Sequence, residues 1–174
     1  MEFNFLKYTG RFILILGIQV VILNQIYLGG FITPYFYPLF ILLLPFDTKG
    51  YNLLIVAFIT GLTMDMFSDS LGMHASATVL MAFMRPFIIQ LISVKSDFDQ
   101  GTEPRMGIMG GGWIFLYTIM LIFIHHLSLF LLEIFRFAEF GQTLLRTLLS
   151  TTASVALIML AHLLISNPKK SRAS

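Results

Sequence analysis

Asp65, His74, Arg85, His125, His126, Glu133 and His162 lie in stretches otherwise built from apolar residues. An ionisable group at the centre of a membrane helix costs about 2.5–3.5 kcal/mol, so each calls for a partner or a task. His125 and His126 are adjacent and would project about 100° apart on a helix, so both cannot face one metal ion. A zinc site would need spacing such as i, i+4 with a third ligand, which is missing. The expectation is no metal and no cofactor. Asp65 and Glu133 fall in different segments, so no paired-carboxylate site is visible. No Gly-x-Ser-x nucleophile lies in an apolar run, and no His-Glu-x-x-His occurs. Gly107, Gly110, Gly111 and Gly112 form a glycine-rich run. No Lys-Ser/Thr pair follows it and no strand precedes it, so it reads as a flexible helix start and not as a phosphate loop. The chain is expected not to be an enzyme.

The elements that carry these residues are membrane spans. The chain has 174 residues, 57% of them hydrophobic and only 11% charged, with a mean hydropathy of +0.85. Soluble domains carry about 25% charged residues, so lipid must be the solvent for much of this surface. Cysteine is absent, which excludes disulfides and thiolate metal sites. A net charge of +2 is too small and scattered for a nucleic-acid surface. Spans are predicted at 12–28, 31–46, 53–67, 71–93, 110–132 and 143–165, some near the lower limit of about 17 residues. The second is interrupted by Pro34, Pro38 and Pro45, each lacking a backbone donor. Tyr35 and Tyr37 would suit headgroup level there, which would make the segment partly interfacial or re-entrant.

Charge placement favours six crossings. With the N-terminus inside, the inner side holds Lys7, Arg11, Lys49, Lys95, Arg105, Lys169, Lys170 and Arg172. The outer side receives Arg136 and Arg146, with Arg85 inside the fourth span. That asymmetry is the positive-inside pattern. It places a single all-α domain, residues 1–174, in a membrane with both termini cytoplasmic. The longest connection, 94–109, mixes Asp97, Asp99 and Glu103 with Lys95 and Arg105.

Depth then sorts the polar residues. At 1.5 Å per residue, Asp65 lies roughly 3 Å from the outer end of its span and Arg85 roughly 21 Å below the outer surface, so the two do not pair. Arg85 precedes Pro86. Its side chain has three readings: snorkelling to the inner headgroups, bonding carbonyls freed by the proline kink, or binding a substrate. His162 reads as interfacial. Asp65, His74, His125, His126, Glu133 and Arg146 all fall towards the outer face. They line a polar depression or a docking surface there, or they are ordinary interfacial residues in water. Ala57, Gly61 and Asp65 recur every four residues, and His74, Thr78, Ala82 and Arg85 form a similar stripe. Small residues let backbones approach closely in lipid, so a tight hairpin through 68–72, including Gly72, is expected. Asp65 is then placed to bond the first amides of the fourth span, where the helix dipole favours an anion. In the first span Gly17, Gln19, Asn24 and Gln25 offer a partly small, polar face for interhelical hydrogen bonds.

The run Gly61-Leu-Thr-Met-Asp-Met-Phe-Ser68, followed by Leu71-Gly-Met-His-Ala75, resembles the "GL-x-x-D-x-F-S…G-x-H-A" stretch of the rod shape-determining MreD family. The size, the six-pass plan, the proline-interrupted second span and the basic C-terminal tail are similar too. The resemblance implies a non-catalytic scaffold or adaptor of the bacterial cell-elongation machinery, in the inner membrane, supporting cell shape and peptidoglycan synthesis. It implies an MreC-like single-pass partner and, through the complex, an MreB-like actin homologue and peptidoglycan synthases. It also implies a fold like the substrate-binding components of energy-coupling-factor transporters. A vitamin-type transporter subunit is therefore the rival reading. Such subunits commonly carry Ala-x-x-x-Ala in span one, whereas residues 12–28 contain no alanine. The expected partner surface is the outer polar set together with span one, and the loop 95–105 is a second candidate contact.

Overall fold

The computed structural model describes residues 5–26, 31–93, 98–134 and 140–165. The charges Lys95, Asp97, Arg136, Lys169, Lys170 and Arg172 lie outside the described residues. The elements are helical: α1 (Phe5–Val21), α2 (Leu39–Leu42), α3 (Gly50–Ser68), α4 (Met73–Ile92), α5 (Met106–Met109), α6 (Gly111–Ile134) and α7 (Phe140–Ile165). A 3-10 turn, Leu23–Gln25, extends α1, and no β-strand forms among the described residues. Among the described residues, five helices are long and apolar enough to cross a membrane. The chain is a polytopic helical membrane protein.

The bundle has an apolar core, as a soluble protein does, but an apolar exterior as well. Leu6, Ile13, Val21, Met66, Leu91 and Leu164 are exposed, whereas Gln19, Thr78, Thr118, Thr147 and Ser154 are buried. Apolar surface facing outwards costs little when lipid is the solvent, and the polar groups must then find partners inside. α3 packs on α4, α4 on α6 and α6 on α7, while α1 lies at the edge against α2 and α3. One end of the bundle carries the α3–α4 turn (the hairpin end). The opposite end carries Lys7, Lys49 and Arg105 (the basic end).

Residues 31–46 depart from the expected second span. They form no membrane-length helix, only the single turn of α2. The reason is local: Pro34, Pro38 and Pro45 remove amide donors at intervals too short for a long helix between them. Yet most of this segment is buried: Tyr35 is 8% exposed, Tyr37 0% and Leu44 2%. Tyr35 and Tyr37 are therefore core residues, not headgroup anchors. The segment threads the bundle lengthwise. Thr33 bonds Ser150 of α7, Tyr37 meets Thr78 and His125, Leu42 meets Tyr117, and Phe46 N–H bonds the Thr102 carbonyl at the basic end. Non-helical backbone at membrane depth is tolerated only when protein surrounds and satisfies it. Side chains of the surrounding helices must therefore supply the partners that a long helix would have given its amides and carbonyls.

Candidate functional site

The α3–α4 hairpin closes on a glycine. A Cβ added to Gly61 would lie 2.5 Å from Ala75 Cα and 2.6 Å from the His74 carbonyl oxygen. Only hydrogen fits. α3 stops because Asp69 turns left-handed at φ +50, its N–H returning to the Asp65 carbonyl. Gly72 then takes φ +78 at the start of α4. Gly72 meets nothing within 4 Å, so it serves backbone conformation and not the helix packing expected of it. Ala57, by contrast, is fully buried in the core.

This approach delivers Asp65 to the N-terminus of α4. Its Oδ1 accepts the His74 N–H at 2.9 Å, and Oδ2 accepts the Ala75 N–H at 2.9 Å. Ser70 Oγ donates to Oδ1 at 2.5 Å, and His74 Nδ1 lies 3.2 Å from the same oxygen. A carboxylate on two helix-terminal amides is stabilised by the hydrogen bonds and by the dipole together. Asp65 and His74 are buried at 4% each. The anion is thus spent on construction.

Behind the hairpin, two tyrosines and three histidines pack together. The Tyr35 ring stands 5.3 Å from His74, 6.0 Å from His125 and 5.4 Å from His126. Tyr37 Oη lies 2.6 Å from His125 Nε2 and 3.1 Å from Thr78 Oγ1. His126 Nδ1 sits 2.9 Å from the Ile122 carbonyl, which assigns the proton to Nδ1. Its Nε2 then accepts from Ser154 Oγ at 3.2 Å, and Ser154 Oγ accepts the Tyr35 N–H at 2.8 Å. His125 and His126 are fully buried. Neither is an interfacial residue in water. His162, in the last turn of α7, is likewise only 2% exposed, so its side chain faces the protein.

The same need for partners accounts for Arg85. It is 2% exposed and neither snorkels nor bonds the carbonyls above Pro86. Its Nη2 donates to the Leu44 carbonyl, its Nη1 to the Pro45 carbonyl at 3.4 Å, and its Nε to Tyr117 Oη at 2.7 Å. Tyr117 in turn donates to the Leu42 carbonyl at 3.2 Å. Arg85 therefore caps the threaded segment where α2 ends. Gln19 serves its other half: Oε1 accepts the Phe36 N–H at 2.6 Å and Nε2 donates to Asn24 Oδ1 at 2.9 Å. Asn24 thus bonds within its own chain end and does not bridge two long helices.

At the hairpin end lies a cavity of about 560 Å³, lined by Asn24, Thr33, Tyr35, Ser68, Glu133 and Arg146 among others. Arg146 pairs with Glu133 at 3.0 Å and stacks its guanidinium 4.1 Å from the Phe130 ring centre. Of the six polar candidates from the sequence, Glu133 and Arg146 line this cavity. Asp65, His74, His125 and His126 lie beneath it, with Tyr35 touching both sets. Among the described residues no group of three His, Asp or Glu is placed to hold a metal ion.

A second polar centre sits at the basic end. Glu103 is 4% exposed and accepts from Lys7 at 2.6 Å, Arg11 at 3.1 Å and Arg105 at 2.6 Å. Burial pushes its carboxyl up, but hydrogen bonds from Lys7, Arg105 and Arg11 outweigh this and hold it down to about 2. Sequence reasoning treated Glu103 as one loop charge among several. Two of the side chains that surround it, Lys7 and Arg11, lie more than 90 positions away, and no local spacing announces them. Ser150 and Ser154 were missed too, although Thr143, Thr147, Thr151 and Ser154 form a visible stripe at helical spacing, all buried. No family model, curated protein or solved structure matches this chain.

Proposed function

We propose that this chain is a non-catalytic membrane scaffold of a bacterial cell-elongation complex, of the MreD type. It would sit in the cytoplasmic membrane with both termini cytoplasmic and bind an MreC-like single-pass partner. An MreB-like actin homologue and peptidoglycan synthases would join through the complex. The observation that carries the reading is the use made of the hairpin motif. Gly61 admits the Ala75 backbone and Asp65 caps α4, so the residues behind the resemblance are used to build the hairpin. The threaded segment 31–46 supports a six-pass topology, because it runs from the hairpin end to the basic end as a sixth span would. α1 offers the partner surface. Gly10 and Gly17 meet nothing within 4 Å on its open face, and small residues let a second helix approach closely.

Co-purification tests this. The tagged protein, extracted in mild detergent, should bring down a single-pass membrane partner, and Gly10→Leu with Gly17→Leu should abolish that capture while abundance is kept. Depletion in a rod-shaped bacterium should produce round cells. Normal shape and wall synthesis would remove the proposal. The cavity at the hairpin end favours one second reading, a substrate-binding subunit of a vitamin-type transporter. Purified protein retaining a small organic ligand at nanomolar affinity would support that reading.

A further inference from the structure

An apolar groove of about 260 Å³ opens between α1 and α3, walled by Tyr8, Phe12, Phe40, Leu44, Val56 and Ile59. The Thr60 hydroxyl beside it is turned onto its own helix, donating to the Val56 carbonyl at 2.7 Å. Ile59 lies nine residues into α3, about 14 Å from its start at the basic end. The hydrocarbon core is about 30 Å thick, so the groove occupies one leaflet only. Its apolar walls suit a stretch of hydrocarbon chain lying along α1 and α3.

The groove ends under the Glu103 centre, and Tyr8 joins the two. The Tyr8 ring lines the groove, its hydroxyl lies 3.3 Å from Glu103 Oε1, and Lys7 and Arg11 stand 5.3 Å and 5.7 Å from its ring centre. Three cations surround Glu103, and Asp47 also acts on Tyr8, so the neighbourhood keeps a surplus of one positive charge. Lys7 spends one N–H on Glu103, while Arg105 spends Nε and Nη2. Their side chains remain 43% and 38% exposed. Donors are therefore left over beside an apolar slot. Basic pockets beside membrane helices recognise anionic headgroups.

We infer that this is a binding site for one anionic phospholipid, with its phosphate at Lys7 and Arg105 and one acyl chain in the α1–α3 groove. A surplus of one positive charge corresponds to a preference of about fivefold over a zwitterionic headgroup. Native mass spectrometry of the purified protein tests this, with phosphatidylglycerol and phosphatidylethanolamine of identical chains added in equal amounts. A single phosphatidylglycerol adduct in severalfold excess is expected. Lys7→Gln with Arg105→Gln should level the two lipids. Ile59→Trp, which lays an indole across the groove and leaves the cluster intact, should reduce the adduct severalfold. Circular dichroism and a monodisperse elution establish that each variant folds, and Ile59→Trp decides alone if the charge variant does not. Equal binding of both lipids to the unaltered protein, or an undiminished phosphatidylglycerol adduct in folded Ile59→Trp, overturns the assignment.

Discussion

Asp65, Arg85 and Glu103 are buried charges held in three different ways. Asp65 rests on backbone amides, so Asp65→Asn keeps the shape but turns an amide group towards an N–H that needs an acceptor. A loss of about 1–3 kcal/mol is expected, read as a lower thermal midpoint in detergent with reduced cellular abundance. Preserved stability with lost partner capture would instead make Asp65 a contact residue. Arg85 has carbonyls and a hydroxyl as its partners. Arg85→Met should cost a similar amount by stranding the Leu44 carbonyl, while Arg85→Lys retains one donor and should fall between. Glu103 makes stability depend on pH. Its carboxyl is ordinary at 4.5 when unfolded and held at about 2 when folded, so its contribution is complete above about 4.5 and is lost as pH falls towards 2. Solvent screening by the half-exposed Lys7 and Arg105 leaves on the order of 1–2 kcal/mol at stake. In acid titration of the detergent-solubilised protein, Glu103→Gln should flatten the decline between about pH 4.5 and 2.

At the scale of elements, the α3–α4 hairpin shows what a sequence can disclose. Gly61, Asp65 and His74 sit at regular helical spacing on either side of one short turn, so contact between them follows from the 3.6-residue period alone. Gly61→Ala is expected to cost about 1–3 kcal/mol, because its methyl meets backbone atoms that cannot rotate away. Differential scanning of the variant would measure it. The segment 31–46 was only half legible. Its prolines announced a broken helix, but its path depends on Gln19, Arg85, Tyr117, Ser150 and Ser154, which come from four helices. No periodicity links those positions. The same gap hid Glu103, whose cationic neighbours belong to α1 and to its own loop. It also left open which way His125, His126 and His162 face, since depth along a helix says nothing about which face is turned inwards.

At the scale of the molecule, the apolar exterior and the two polar ends predict which residues a water-borne reagent can reach. The chain has no cysteine, so single cysteines report without background. Ser68→Cys at the hairpin end should react with an impermeant maleimide in intact spheroplasts. Asp99→Cys, near the basic end, should react only after permeabilisation. Reactivity of both before permeabilisation would break the proposed topology. The threaded segment also constrains how such a protein is made. Its amides at Thr33 and Tyr35 find their acceptors in Ser150 and Ser154, which are synthesised more than a hundred residues later. A nascent chain that has released only α1 and this segment holds backbone groups that lipid cannot accommodate. The prediction is that the segment stays unburied until the last helix arrives. Ribosome-stalled chains ending before residue 140 should leave it accessible to protease, and chains extended past α7 should close it.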